Sequence, residues 1–176
     1  IGMRMGDKDL ILSRKSMDEE QIICVLLKLM AESQCQILVG HNIFNFDLPF
    51  IEKRAISLGL EVPFTQTSYQ INITSSSVNG KPISFFNINW KGVNIIDTYH
   101  LVGIYDKMTN SLSSYGLKNC AIQLKLREER RTELGYEEIM DNYNKGNWEI
   151  IDEYLKYDLE DTQLICNLLL PQIYYQ

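Results

Sequence analysis

Nine consecutive residues, Gly40-His41-Asn42-Ile43-Phe44-Asn45-Phe46-Asp47-Leu48, set a carboxylate just past a short apolar run, behind an asparagine and an aromatic ring. A second acidic group, Tyr157-Asp158-Leu159-Glu160-Asp161, stands near the C-terminus, and Asp97 follows the apolar Val93-Asn94-Ile95-Ile96. Carboxylate oxygens are hard ligands that suit Mg²⁺ and Mn²⁺. Phosphoryl-transfer sites use several of them to hold two cations roughly 4 Å apart, one for the attacking and one for the leaving oxygen. One acid is not enough, so the chemistry depends on which acids converge. Asp158 and Asp161 lie one helical turn apart and can face the same side. Each acid also has a plainer reading. Asp47 can cap a helix opened by Pro49, Asp97 can cap a helix beginning near Tyr99, and Asp158 can be a solvated helix charge. For Asp97 and Asp158 the plainer reading is preferred.

The elements that must position these groups follow from periodicity. Leu10-Ile11-Leu12 reads as a short strand, and Ser16-Met17-Asp18-Glu19 as a capping box opening a helix through Ile22, Ile23, Leu26, Leu27 and Met30. Ile37 to Val39 is a buried strand stopping at Gly40, and a helix after Pro49 stops at Gly59. Tyr69 to Thr74 alternates, Asn79-Gly80 is a turn signal, and Ile83 to Ile88 returns, which predicts an inserted hairpin. Val93 to Ile96 is a further strand. Helices are predicted over Ser111 to Leu124, Tyr136 to Tyr143, and Trp148 to Leu169, the last ended by Pro171. Strands that deliver acids, interleaved with helices, predict a three-layer α/β domain with ligands at the carboxyl ends of the strands.

The chain has 176 residues, of which 45% are hydrophobic, which suits a single domain spanning 1–176. No apolar run approaches the roughly 20 residues that span a membrane, and the start lacks the order of a signal peptide, so an intracellular setting is expected. Cys24, Cys35, Cys120 and Cys166 show no C-x-x-C spacing and read as reduced core thiols. A net charge of −6 argues against a free-standing, tight, non-specific nucleic-acid binder, but not against an enzyme that gathers carboxylates around metals.

Asn42-Ile43-Phe44-Asn45-Phe46-Asp47-Leu48-Pro49-Phe50 resembles the second motif of the DEDD exonucleases, as found in the proofreading domain of family B DNA polymerases. Tyr157-Asp158-Leu159-Glu160-Asp161-Thr162-Gln163-Leu164-Ile165 is similar to the third motif, Y-x-x-x-D followed by an apolar turn, of the tyrosine branch. Ile96-Asp97-Thr98-Tyr99 and Leu112-Ser113-Ser114-Tyr115-Gly116-Leu117 are similar to the segments between them. The resemblance implies a ribonuclease H-like fold with a central mixed sheet, two divalent metals (Mg²⁺ or Mn²⁺), and removal of nucleotides from the 3' end of single-stranded DNA. It also implies a covalently attached polymerase domain. By the same resemblance Asp47 and Asp161 are metal ligands, directly or through water, Tyr157 orients the attacking water, and Asn42 and Phe46 shape the pocket for the 3' terminus. The ring of Phe46 is equally readable as core. A second register, Tyr154 with Asp158, also satisfies Y-x-x-x-D; Tyr157 with Asp161 is preferred because Thr162 and Leu164-Ile165 then fall where the family carries a small residue and an apolar turn.

The first motif of that family, D-x-E on a strand, has no convincing match. Asp7-Lys8-Asp9 follows Gly6 in a polar turn, Asp18-Glu19-Glu20 opens a helix, and Asp158-Leu159-Glu160 lies in the last helix. The chain is therefore expected to be a fragment without its N-terminal strand, feeble or inactive alone. Two other classes are considered. One is a non-catalytic nucleic-acid-binding or scaffolding domain of the same fold, using Lys125, Arg127, Arg130 and Arg131. Because Glu128 and Glu129 interrupt that run, a solvated charged segment is the more economical reading. The other is a small-molecule metal phosphohydrolase.

Overall fold

Residues 1–69, 85–127 and 134–174 are described by the computed structural model. Strands β1 (Gly2–Met5) and β2 (Lys8–Ile11) form an antiparallel ladder through the turn at Gly6-Asp7. Helix α1 (Glu19–Glu32) follows. Its capping box is built on Asp18 and Gln21 rather than on Ser16: Asp18 accepts from the Gln21 amide at 2.8 Å, and the Gln21 side chain accepts from the Asp18 amide at 2.9 Å. Strand β3 (Ile37–Gly40) leads into α2 (Asp47–Ser57), which stops at Leu58 with Gly59 at φ +73°. That backbone is open to glycine at little cost.

An antiparallel pair, β4 (Thr65–Tyr69) and β5 (Phe85–Asn89), stands where the hairpin is predicted, though 70–74 of its expected first arm and 83–84 of its second lie outside the described residues. Its first arm begins four residues earlier than expected, and the Asn79-Gly80 signal lies outside the described residues. Strand β6 (Asn94–Asp97) runs parallel to β3 with Gly40 opposite Asp97, so the two strand ends are level. The later helices are α3 (Thr98–Thr109), α4 (Leu117–Gln123), α5 (Tyr136–Lys145) and α6 (Trp148–Tyr174).

The structure corrects two predicted helix bounds. Residues 111–116 are not helical, because Asp106 captures them: its Oδ1 accepts from the Ser111 and Leu112 amides at 2.8 Å, and Tyr115 Oη donates to its Oδ2 at 2.9 Å. A side chain that satisfies those amides removes the need for a helical turn. Helix α6 runs through Pro171 to Tyr174. The ring costs one backbone hydrogen bond, while Ile165 and Leu169, both fully buried, anchor the preceding turns.

Alternation along the strands makes three layers. Met3 and Leu10 pack with Leu12, Ile22, Leu26 and Ile51 on the side of α1 and α2, while a side chain at Gly2 would meet Leu155 and Leu159 of α6. Likewise Ile95 joins the cluster of Ile43, Leu48 and Trp90, and Ile96 packs with Leu101, Val102, Ile165 and Leu169. The mixed α/β architecture holds, but its described strands form three two-stranded ladders rather than one central mixed sheet. Between β1 and β3 lies a groove of about 560 Å³, walled by both strands and by faces of α1, α2 and α6. Of the cysteines, Cys120 and Cys166 are buried; Cys24 is exposed, contrary to its reading as a core thiol. Among the described residues no helix is long and apolar enough to cross a membrane.

Candidate active site

The level ends of β3 and β6 build the first half of the site. Gly40 must be glycine, because a Cβ there would lie 2.6 Å from the Cβ of Ile43. The chain folds back this tightly because Asn42 adopts φ +61°, a left-handed conformation that asparagine tolerates better than most residues. Asn42 then closes its own turn. Its carbonyl accepts from the Asn45 and Phe46 amides, and its Oδ1 accepts from Asn45 Nδ2 at 3.2 Å.

Asp97, 3% exposed, fixes this turn to the neighbouring strand end. Its Oδ1 accepts from the Asn42 amide at 2.7 Å and from the Tyr99 amide at 2.9 Å, capping α3, and its Oδ2 accepts from the Phe44 amide at 3.3 Å. With both oxygens engaged by backbone, Asp97 frames the site. His41 adds a second tie. Burial pushes its pKa below the ordinary histidine range; in the neutral ring Nε2–H donates to the Tyr115 carbonyl at 2.8 Å. The Thr98 hydroxyl lies between His41 Nδ1, at 2.9 Å, and the Gly40 carbonyl, at 3.1 Å. The sequence reading assigned no role to His41, although it sits between the two glycine- and asparagine-governed positions of the turn.

This frame presents Phe46 and Asp47 to the groove. Phe46 is 64% exposed, which excludes the core reading of its ring, and it stacks on the exposed Phe50 one turn later, with centroids 6.3 Å apart and planes 6° apart. Asp47 is the first residue of α2 rather than its cap. The residue opens to solvent at the groove mouth, yet protein atoms crowd its carboxyl. That desolvation, with smaller contributions from the charges of Asp97 and Asp158, raises its pKa to about 6. Asp158 lines the same groove. The structure thus brings Asp47, Phe46 and Asp158 to one concavity, and its reading as a merely solvated helix charge does not describe Asp158.

The other third-motif residues lie elsewhere on α6. Asp161, Ile165 and Leu169, at i, i+4 and i+8, are 1%, 0% and 0% exposed and form the helix's most buried stripe. Asp161 is not among the residues that wall the groove. Arg127 Nε donates to Asp161 Oδ1, Arg127 Nη2 donates to Glu160 Oε2 at 2.5 Å, and the guanidinium carbon sits 5.3 Å from the centre of the Tyr157 ring. Arg127 is therefore turned inward onto α6 rather than being part of a solvated charged face; Arg130 and Arg131 lie outside the described residues. The alternative tyrosine, Tyr154, has the Lys118 ammonium 4.4 Å over its ring.

The two divalent cations that the resemblance implies have an incomplete fit. Asp47 and Asp158 face one groove, but Asp97 is engaged by backbone amides and Asp161 by a guanidinium. Among the described residues no group of three or more His, Cys, Asp or Glu side chains is placed to hold a metal ion. As arranged, these carboxylates do not make a two-ion site.

A search of curated proteins gives no match. Residues 12–120 match the family described as DNA polymerase family B, exonuclease domain. This span includes the Asn42 to Phe50 segment and Asp97 and stops before Tyr157. It covers well over half of the 176 residues, and the chain belongs to the exonuclease-domain family of the family B DNA polymerases.

Proposed function

We propose that this chain is the proofreading module of a polymerase-bearing parent protein that acts inside the cell on the 3' end of single-stranded DNA, and that on its own it digests DNA feebly. The observation that carries this reading is the groove mouth. There Asp47 and the mutually stacked, exposed rings of Phe46 and Phe50 line one groove, at the start of the helix that follows the level ends of β3 and β6. An unpaired terminal base can stack on the Phe46 and Phe50 platform, and stacking of this kind tolerates any base. Asn42 holds the turn that aims the platform, and Asp47 lies beside the ring that would carry the base. A base inside a duplex is already stacked on both faces by its neighbours, so the platform favours unpaired ends.

In the family's chemistry divalent cations, Mg²⁺ or Mn²⁺, would activate water and steady the leaving oxygen, with Asp47 and Asp161 as ligands and Tyr157 orienting the water. Among the described residues, the carboxylates at the groove and on α6 are too few, and too engaged, to hold two ions. Low activity follows from that shortage. The same shortage favours a second reading, a non-catalytic single-strand-binding domain of the same fold.

The test uses the chain itself with DNA labelled at its 5' end. Single strands are expected to bind better than duplex, and Phe46→Ala to cost about 1–3 kcal/mol of binding. A faint ladder shortening from the 3' end in Mn²⁺, lost in both Asp47→Ala and Asp161→Ala, supports the exonuclease. Tight binding with no ladder supports the second reading. Hydrolysis of mononucleotides in preference to oligonucleotides, or equal affinity for duplex, overturns both.

A further inference from the structure

His41 lies where three parts of the chain meet. It follows Gly40 at the end of β3, its Nδ1 is 2.9 Å from the hydroxyl of Thr98 at the start of α3, and its Nε2 is 2.8 Å from the Tyr115 carbonyl. A carbonyl only accepts, so Nε2 carries the hydrogen. Burial lowers the ring's pKa and keeps it neutral, which leaves Nδ1 as an acceptor for the Thr98 hydroxyl. The ring also packs edgewise with Tyr99, at 71° and with centroids 5.7 Å apart.

The Tyr115 end of this tie leads into the groove. Gly116 opens α4 without a side-chain cap, and Leu117 is what α4 contributes to the groove wall. Phe46 and Asp47, which follow His41 in the turn after β3, line the same groove. With an uncapped helix start, the place of Leu117 depends on what holds Tyr115. Asp106 holds the Tyr115 hydroxyl and ties the segment to α3, while His41 holds the Tyr115 carbonyl and ties it to the turn after β3.

We infer that His41 is a positioning residue for the groove: its Nε2–H bond to the Tyr115 carbonyl sets the Leu117 wall against the turn that presents Phe46 and Asp47, so that a 3' end on the Phe46 ring meets both walls in place. The inference rests on reading the groove mouth as the seat of a 3' end. A histidine kept for packing acts through ring volume, and phenylalanine would then replace it better than glutamine. Positioning through Nε2 demands the reverse order, because a glutamine amide can donate to the Tyr115 carbonyl and phenylalanine has no donor.

The experiment compares wild type, His41→Gln and His41→Phe by amide exchange and by binding of a fluorescent single-stranded oligonucleotide. The reporting amides are Ser113 and Cys120, which bond Gln123 Oε1 and the Gly116 carbonyl at 2.9 Å. In His41→Phe they are expected to exchange about tenfold faster, while Ile165 within α6 changes less than about threefold. Loss of one hydrogen bond at the wall is expected to weaken single-strand binding about fivefold. In His41→Gln every readout stays near wild type. Unchanged exchange at Ser113 and Cys120 in His41→Phe, equal acceleration at Ile165, or a His41→Gln chain no closer to wild type than His41→Phe overturns the inference.

Should His41→Phe not fold, wild type decides. Nitrogen-15 spectra of the ring are expected to show the hydrogen on Nε2 and a bare Nδ1, and the opposite tautomer overturns the inference. Since neither exchange nor ring spectra involve DNA, a wild type that binds no single strand counts against the 3'-end reading alone.

Discussion

The strand-end cluster and the third-motif cluster are both built around a buried aspartate, and they solve the problem of burying it in opposite ways. Asp97 is neutralised by backbone: amides of Asn42, Phe44 and Tyr99 all point at it, two from the turn after β3 and one from the first turn of α3. Asp161 takes a side-chain donor instead: Arg127, from a segment more than thirty residues away, donates to it. Backbone amides cannot rotate out of the way, so the first cluster is fixed once the strands pair. A guanidinium on a flexible stem can leave, so the second cluster can exchange partners. Rigid framing by backbone at the strand ends, and a side-chain counter-charge on α6, is the contrast these two clusters present.

The sharpest way to break this contrast is to remove the backbone-held acid. Asp97→Ala deprives three amides of their acceptor and α3 of its cap. A lost cap costs about 1 kcal/mol, and charge-assisted bonds to buried donors contribute about 1.5–3 kcal/mol each when they are not replaced by water. Water can reach part of the loop, so the expected loss is about 3–4 kcal/mol, read as a fall in the urea midpoint at unchanged slope. DNA binding should fall with it, because the Phe46 platform rests on the same turn. A loss below about 1 kcal/mol would mean that Asp97 is an interchangeable cap and not a frame.

Gly40→Ala probes the same frame by steric means. The new Cβ would lie 2.6 Å from the Ile43 Cβ and 2.7 Å from its Cδ1, so the turn must open. Overpacking of a fixed site costs about 1–3 kcal/mol. Pairing it with Ile43→Ala should rescue little, because the closest contact is to the Cβ that alanine keeps. Full rescue would show that the turn yields and that the frame is softer than its hydrogen bonds indicate.

The difference between the clusters also explains what could be read from the sequence. The elements around Asp97 are local: Ile37-Leu38-Val39-Gly40 and Asn94-Ile95-Ile96-Asp97 are apolar runs ending in a turn residue and an acid, and they pair as such. The capping reading of Asp97 needed only its neighbour Tyr99. What it could not give was the reach to Asn42 and Phe44, more than fifty residues away. On α6 the helical spacing of Ile151, Leu155, Leu159, Thr162, Cys166 and Leu169 points to one buried face; Leu169 is fully buried, but the most buried stripe joins it to Asp161 and Ile165. An acid at the head of that stripe breaks the hydrophobic pattern, and its pairing with Arg127 offsets part of the cost of burial. Arg127 itself was hidden by Glu128 and Glu129 beside it, since charge runs read as solvated. The three separate ladders were likewise beyond local reading, because strand periodicity does not say which edges meet.

The smallest expected effect is the most diagnostic of the groove. Asp47 carries a pKa near 6 because its carboxyl is crowded by protein, then by the charges of Asp97 and Asp158. Its folded pKa lies above the unfolded value of about 3.9, so the native state binds the extra proton between roughly pH 4 and pH 6. Stability is therefore higher below this window and falls as pH rises through it, the reverse of a salt-bridged aspartate. A shift of about two units would correspond to nearly 3 kcal/mol, but Asp47 opens to solvent at the groove mouth, and screening reduces this to about 1 kcal/mol. Asp47→Asn should accordingly stabilise the chain by about 1 kcal/mol at pH 7.5 and leave it unchanged at pH 4, as measured by urea denaturation at the two values. Mn²⁺ should narrow the gap at pH 7.5 by relieving the same crowding in wild type. A variant no more stable than wild type at pH 7.5 would show that the protein around the Asp47 carboxyl does not crowd it enough to disfavour its charge.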